Sequence, residues 1–485
     1  MTHSIKIMKN SMSLMLGRIY HAVLNLFAVA LIARYLKVDV FGEYAFISVV
    51  CNIFMVVTDM GINRIGIREM SRAHTKANDI LWASTFVKFL FSIITFAGIA
   101  VTVNILSDNR EIISAAYIGA LAVIFFFLGD IFVTVFISFE KMGYASVLAF
   151  VQISTYLLFT VLFIRLDFGL KGIFGALLIS YLARIFLGIF LVSKNFFKLR
   201  PSLDFSLCLY LFKEGYPIGI HRILRKTSYG IDTVLIKMMR PMQEVGLYHG
   251  VYRIVLVLTL IPDSIVEGLF PMVSRLAVES KECMNKVLEQ SFKILLIMVI
   301  PLVAGLILFA ENVIRLILGE DFLQAVPALM LLSLVWGAMF FSDLFIKFLH
   351  ASNKQVLATK SVAICLIVTV FMDVILIYAF GYFGAVITTL LAEIILTAIT
   401  YYFVSKTVGS INWRRVLPKP LIAAVPMIIV MYFLSPISRI LTMSTGLVIF
   451  LSVLFILKTF EEDEVLIFKK SIEKICRKFG SIYAR

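Results

Sequence analysis

The chain has 485 residues, 61% of them hydrophobic and only 15% charged, with a mean hydropathy of +0.99 and a net charge of +15. Soluble domains carry about 25% charged residues, so this composition excludes a water-soluble fold and makes the bilayer the solvent. The positive balance does not point to nucleic acid, because the basic residues sit in short segments between apolar runs, as topology signals do.

A hydrocarbon core about 30 Å thick takes roughly 20 apolar residues of helix to cross. On that ruler the sequence predicts an all-α polytopic membrane protein of fourteen spans. The first six run over 11–36, 40–58, 80–106, 112–138, 144–164 and 172–194. Six more follow at 215–239, 245–273, 287–310, 325–350, 356–380 and 383–405, and the last two at 416–434 and 438–457. The first apolar run is too long for a cleavable signal peptide and lacks its small-residue site. Cys51, Cys208, Cys283, Cys365 and Cys476 are far apart and read as free thiols; neither a disulfide framework nor a metal site is indicated.

With the N-terminus in the cytoplasm, the loops on that side hold about 27 Lys and Arg against about 8 opposite. That asymmetry predicts both termini inside. Two basic segments read as amphipathic helices on an anionic leaflet: Gly61–Asn78, with Arg64, Arg68 and Arg72 on one face, and the tail from Val465 to Arg485. An ordinary positive-inside loop is the alternative reading for both.

The two halves repeat in the same direction. KNSMSLMLGRIYHAVLNLF from Lys9 aligns with KEGYPIGIHRILRKTSYGI from Lys213 at an offset of 204, and the same offset carries Phe41-Gly42-Glu43-Tyr44 onto Val245-Gly246-Leu247-Tyr248. Asp130 and Lys141 match Asp343 and Lys354, and LKGIFGALLISYLA from Leu170 matches AFGYFGAVITTLLA from Ala379. Six spans per half return the chain to its starting side. The repeat is therefore parallel, with a pseudo-two-fold axis along the membrane normal. The predicted organisation is a bundle over 1–194, a cytoplasmic linker over 195–212, a second bundle over 213–405, an added helix pair over 416–457 and a basic amphipathic tail over 458–485.

The seventh span, GYPIGIHRILRKTSYGIDTVLIKMM from Gly215, holds Arg222, Arg225 and Lys226. A charge at the bilayer centre costs roughly 2.5–3.5 kcal/mol on insertion scales. These three and Tyr229 fall within about a 100° arc of a helix, which predicts a polar face turned to a cavity. If they were only a snorkelling flank, Thr227–Met239 would leave too few residues to cross. Gly215, Pro217, Gly219 and Gly230 make the backbone easy to bend. Arg222 aligns with Arg18 and Arg225 with His21, so the repeat brings cationic or polar groups toward one centre. Lys88, Arg184, Arg253, Lys293 and Lys347 are further cations within spans. A cationic cavity attracts phosphate or carboxylate, which Arg grips bidentately.

Acidic residues also fall within spans: Asp130, Asp232, Asp263, Glu267, Asp343, Asp373 and Glu393. Each reads either as the partner of a nearby cation or as a proton or sodium site coupling transport to a gradient. Glu393 has no sequence-local partner, whereas Asp130 and Asp343 are repeat equivalents suited to gating or packing.

The stretches LGRIYHAVLNLFAVALIARYLKVDVFGEYAF, TDMGINRIGIRE and ILGEDFLQAVPALMLLSLVW resemble the polysaccharide transporter family. That family includes the Wzx-type O-antigen flippases of the multidrug/oligosaccharidyl-lipid/polysaccharide superfamily. The resemblance implies translocation of an undecaprenyl-diphosphate-linked oligosaccharide to the outer leaflet of the bacterial inner membrane. A lipopolysaccharide or other surface glycan would be its product, and a downstream polymerase a partner. It makes Arg18 and Arg222, then Arg225, Lys226 and Arg253, the candidates for cations facing the diphosphate. A lipid II flippase fits the same charge. A drug/cation antiporter of the superfamily would favour an acidic cavity and twelve spans. A glycan polymerase or ligase would need a large outer loop. No GxxxxGK[ST] or HExxH motif is present, so no nucleotide or metal cofactor is expected.

Overall fold

The computed structural model describes residues 3–228, 230–259, 266, 273, 281–435 and 439–459, with the side chains of residues 3–16, 18, 19, 221, 225, 228, 281 and 440 excluded. The basic tail, Asp263, Glu267 and the side chains of Arg18 and Arg225 therefore lie outside the described residues. What is described is helix joined by short turns, and the chain is a multi-pass membrane protein. Ten of these helices are long and apolar enough to span a bilayer. Side chains such as Ile105, Phe186, Phe371 and Tyr378 point outward with more than half their surface uncovered. Such an apolar exterior suits lipid, and helices alone satisfy their backbone there.

Two compact units form, one of Met1–Ile261, Glu311–Val335 and Thr359–Leu396, the other of Pro262–Ala310, Trp336–Ala358 and Thr397–Arg485. In the first unit, α1 (His3–Asp59) contains both of the first two predicted spans, separated at Lys37, whose φ of 57° breaks the helical path. α2 (Ile62–Arg72) follows, then α3 (Ala77–Leu106), α4 (Arg110–Ser138), α5 (Met142–Arg165) and α6 (Gly169–Asn195). Asn109 caps α4 by accepting from the Glu111 N–H at 2.9 Å.

The cationic seventh span differs from expectation in two ways. Its helix, α7 (Phe205–Ser228), begins ten residues before Gly215. Asp204 caps it, accepting from the N–H groups of Ser206 at 2.8 Å and Leu207 at 3.2 Å. The Ser206 hydroxyl and those amides hold the Asp204 carboxyl below the usual carboxylate range. The helix then breaks before α8 (Ile231–Met239), which starts after Gly230, while Pro217 sits inside continuous helix. Glycine, rather than proline, marks the bend. α9 (Met242–Leu258) carries Arg253.

The helix α2 also departs from the interfacial reading. Its apolar residues Ile62, Ile65 and Met70 pack in a protein core with Leu81, Val135, Phe136 and Leu211. Its basic face is partly neutralised, with Arg68 paired to Glu69 at 2.8 Å and Glu214 at 2.9 Å. Those two carboxylates hold the Arg68 guanidinium above its usual pKa. The helix is thus a strut between α3, α4 and α7. It is entered through Gly61, whose φ of 79° and contact with the Gly215 backbone leave no room for a side chain.

The second half continues with α10 (Lys281–Leu308), α11 (Ala310–Ile317), α12 (Val326–Ala351), α13 (Gln355–Phe380) and α14 (Tyr382–Thr407). The short α15 (Trp413–Val416), α16 (Pro418–Leu434) and α17 (Arg439–Ile456) complete the described residues. The second unit centres on Phe292, stacked on Phe341 at 4.5 Å and edge-on to Trp413 at 5.2 Å.

The second arm of α1 meets α9 where both backbones come into contact. A Cβ on Gly42 would run into the Met242 carbonyl, and one on Gly246 into the Val38 carbonyl. Both pairs, Val38 and Met242 and Gly42 and Gly246, are separated by the repeat offset of 204. The approach is therefore reciprocal. A Gly246→Val variant should lose at least the ~1–3 kcal/mol typical of overpacking. Gly175→Ala, where a Cβ meets only Phe163 at 3.7 Å, should melt as wild type; thermal unfolding in detergent compares the two.

Candidate functional site

The polar residues within the spans of the first unit form two clusters and a cavity. The first cluster begins at Asp59, the last residue of α1. One carboxylate oxygen pairs with the Arg222 guanidinium of α7. The other lies 3.6 Å from the Lys88 ammonium of α3 and accepts from the Asn63 N–H, at the start of α2, at 3.3 Å. Lys88 also donates to the Asn63 side-chain carbonyl, which accepts from Thr134 at 3.0 Å as well.

From Asn63 the network crosses to α4 and α6. The Asn63 amide donates to Asp130 at 2.5 Å, and Arg184 donates to the other Asp130 oxygen at 2.6 Å. The second arm of Arg184 donates to Gln152 of α5 at 2.7 Å. Aromatic faces enclose both cations: Lys88 lies 5.6 Å from the Phe127 centroid and Arg184 4.9 Å from that of Phe126. Asp59 and Lys88 are each 1% exposed, whereas the Arg222 side chain is 44% exposed.

Gln152 carries the network to a cavity of about 260 Å³. Its polar wall includes His21 and Asn25 of α1, Gln152 and Tyr156 of α5, Tyr181 of α6 and Arg253 of α9. The Nε of Arg253 has no hydrogen-bond partner among the described residues. Its charge acts on His21 and on Lys226, and Lys226 also feels Arg222 one helical turn away. The cavity wall is therefore cationic and rich in donors, with no carboxylate among its lining residues.

The second cluster joins α8, α9, α13 and α14. Tyr248 donates to Asp232 at 2.5 Å, and Thr389 lies 3.4 Å from the same oxygen. Asp373 is close enough to Asp232 for the two carboxyl groups to act on each other electrostatically, and neither Asp373 oxygen has a hydrogen-bond partner among the described residues. Both carboxyl groups are buried, and neither forms an ion pair with Lys or Arg among the described residues. Two carboxylates in contact repel unless a proton or a cation sits between them.

Among the sequence candidates, Arg222 belongs to the first cluster, paired with Asp59 at the end of α1, and Asp130 is paired with Arg184. Arg253 lines the cavity, and Lys226 is exposed on the same face of α7 as Arg222. Asp232 and Asp373 meet. Glu393 of α14 is half-buried and acts on Cys365, which lies about two helical turns before Asp373 on α13. Asp343 is half-buried on α12 in the second unit. Asp59, Asn63, Gln152 and Tyr248 were not among the candidates, although Asp59 and Asn63 stand inside the quoted TDMGINRIGIRE.

The profile of the family described as "Polysaccharide biosynthesis protein" matches residues 7–277, and that described as "Lipid II flippase MurJ" matches residues 228–457. Among curated relatives, the chain is 24% identical over 183 residues to the "Probable low-salt glycan biosynthesis flippase Agl15" of Haloferax volcanii, covering 37% of this chain and 38% of that protein. It is 22% identical over 337 residues to the "Succinoglycan biosynthesis transport protein ExoT" of Rhizobium meliloti, covering 68% and 66%. The chain thus spans between about a third and two thirds of the length of these relatives. A solved lipid II flippase MurJ in an inward closed conformation superposes with a TM-score of 0.76 at 16% identity, over 91% of this chain and 98% of that one. An inward-facing MATE multidrug transporter gives 0.61 at 15%, over 81% and 94%. At these identities the likeness establishes the fold.

Asp59 and Lys88 should behave as a pair. Breaking a buried ion pair by removing one partner costs about 3–5 kcal/mol, whereas replacing both with neutral groups is often near neutral. Asp59→Asn, which strands the sealed Lys88, should therefore melt far below wild type, and Asp59→Asn/Lys88→Met should recover most of the loss. A single variant that melts like wild type would show that the pair is not held dry.

Proposed function

This chain belongs to the polysaccharide biosynthesis protein family, and from that premise we propose that it flips a polyprenyl-diphosphate-linked oligosaccharide across the membrane by alternating access. The observation that carries the reading is the carboxylate-free wall of the cavity, with His21 and the Arg253 cation in its lining and Lys226 within electrostatic reach of Arg253. A diphosphate is the part of such a substrate that most needs replacement solvation inside a membrane, and Arg supplies it as a bidentate donor. An antiporter of organic cations would find the opposite field there. Arg18 and Arg225 complete the proposed set through the repeat.

The carrier is undecaprenyl diphosphate and the glycan an O-antigen or related repeat unit, delivered outward across a bacterial inner membrane to a polymerase. Fourteen spans, bundles over 1–194 and 213–405 and cytoplasmic termini belong to this reading. The reciprocal approach of Gly42 and Gly246 supports the parallel repeat. The buried meeting of Asp232 and Asp373 supports a coupling ion, H⁺ or Na⁺, held between them. Lipid II is the second reading, favoured by the profile match over 228–457; its carrier presents the same diphosphate.

Translocation of a labelled undecaprenyl-diphosphate oligosaccharide in proteoliposomes tests the proposal. Arg253→Ala and Arg225→Ala should slow flipping by roughly 10–100-fold, the value of one charged hydrogen bond. Normal rates in folded variants would remove the diphosphate from this cavity. Export of an organic cation with no lipid translocation would move the protein to the antiporter branch. Asp373→Asn should leave substrate binding intact and abolish the response of flipping to an imposed H⁺ or Na⁺ gradient.

A further inference from the structure

The buried network is electrically complete without Arg222. Lys88 and Arg184 balance Asp59 and Asp130, all four held by hydrogen bonds inside the first bundle. Arg222 is a fifth charge, docked on Asp59 from α7. If it leaves, Asp59 keeps Lys88 and the Asn63 N–H, at the amino end of α2 where a negative charge is favoured. Lys88 is sealed at 1% exposure, while Arg222 is 44% exposed. Of the two cations on Asp59, only Arg222 is free to change partners.

Its position sets what competes for it. Asp59 ends α1, at the close of the predicted span 40–58, which puts Arg222 at the level of a predicted membrane surface. Phosphodiester headgroups crowd that level, each with one negative charge. A lone exposed guanidinium there would be occupied by bulk lipid. Resting on the flippase reading above, we infer that Asp59 is a specificity-determining counter-anion, which holds Arg222 against singly charged phosphodiesters and yields it to a diphosphate. A phosphodiester offers Arg222 no more charge than the carboxylate it must displace. A diphosphate brings additional charge and a second set of acceptor oxygens for the guanidinium fork. Selectivity arises because the two anions must outbid the same carboxylate.

The experiment measures binding of undecaprenyl diphosphate to the full chain in nanodiscs, of phosphatidylcholine alone and of phosphatidylcholine with phosphatidylglycerol. Wild type should lose little affinity when phosphatidylglycerol is added, beyond the effect of surface charge. In Asp59→Asn/Lys88→Met, which removes the buried pair together, phosphatidylglycerol should compete and lower diphosphate affinity by about tenfold more than in wild type. Asp59→Glu keeps the charge and should restore the wild-type response, which a merely structural role for the residue would not predict. Equal sensitivity of wild type and double variant would overturn the role of Asp59 while leaving the flippase reading intact. Failure of wild type to bind the diphosphate in either disc would overturn both.

Discussion

A carboxylate shared by two cations organises the first bundle. Asp59 ends one helix, begins the strut that follows, neutralises the most deeply buried lysine and receives the arginine of the helix that opens the second half. Hydrocarbon offers no water to solvate these groups, so each charge must find its counter-charge in protein. That demand draws α1, α2, α3 and α7 to one point. The glycines at 61, 215 and 219 let the backbones come that close.

Two kinds of polar group then divide the interior. The Asp59–Lys88–Asn63–Asp130–Arg184 chain pairs each charge with a counter-charge and sets aromatic rings beside its cations. Groups around the cavity are more open: Arg253 keeps an Nε without a partner among the described residues, and Lys226 feels the charges of Arg253 and Arg222. Matched charge holds helices together, whereas unmatched charge is what an anionic ligand can use. The Asp232–Asp373 pair is the converse, two buried acids with no Lys or Arg paired to either among the described residues.

The helical spans were legible because hydrophobic length is a local property. The helices α3 to α6 agree with the predicted spans to within three residues at either end. The start of α7 at Phe205 was harder to read because Asp204 caps it in a segment whose charges resemble a linker. The amphipathic pattern of α2 was read correctly as a pattern, but periodicity does not say whether an apolar face meets lipid or protein.

The site divides along the same line. Composition and spacing placed cations and acids within the predicted spans, and the internal alignment related His21 to the cationic helix. Which charges cancel and which remain available was decided only by tertiary packing. Asp59 lies 29 residues from Lys88 and 163 from Arg222, and Asp232 lies 141 from Asp373. Electrostatic pairing inside a bilayer acts over a few ångströms of space and is indifferent to distance along the chain.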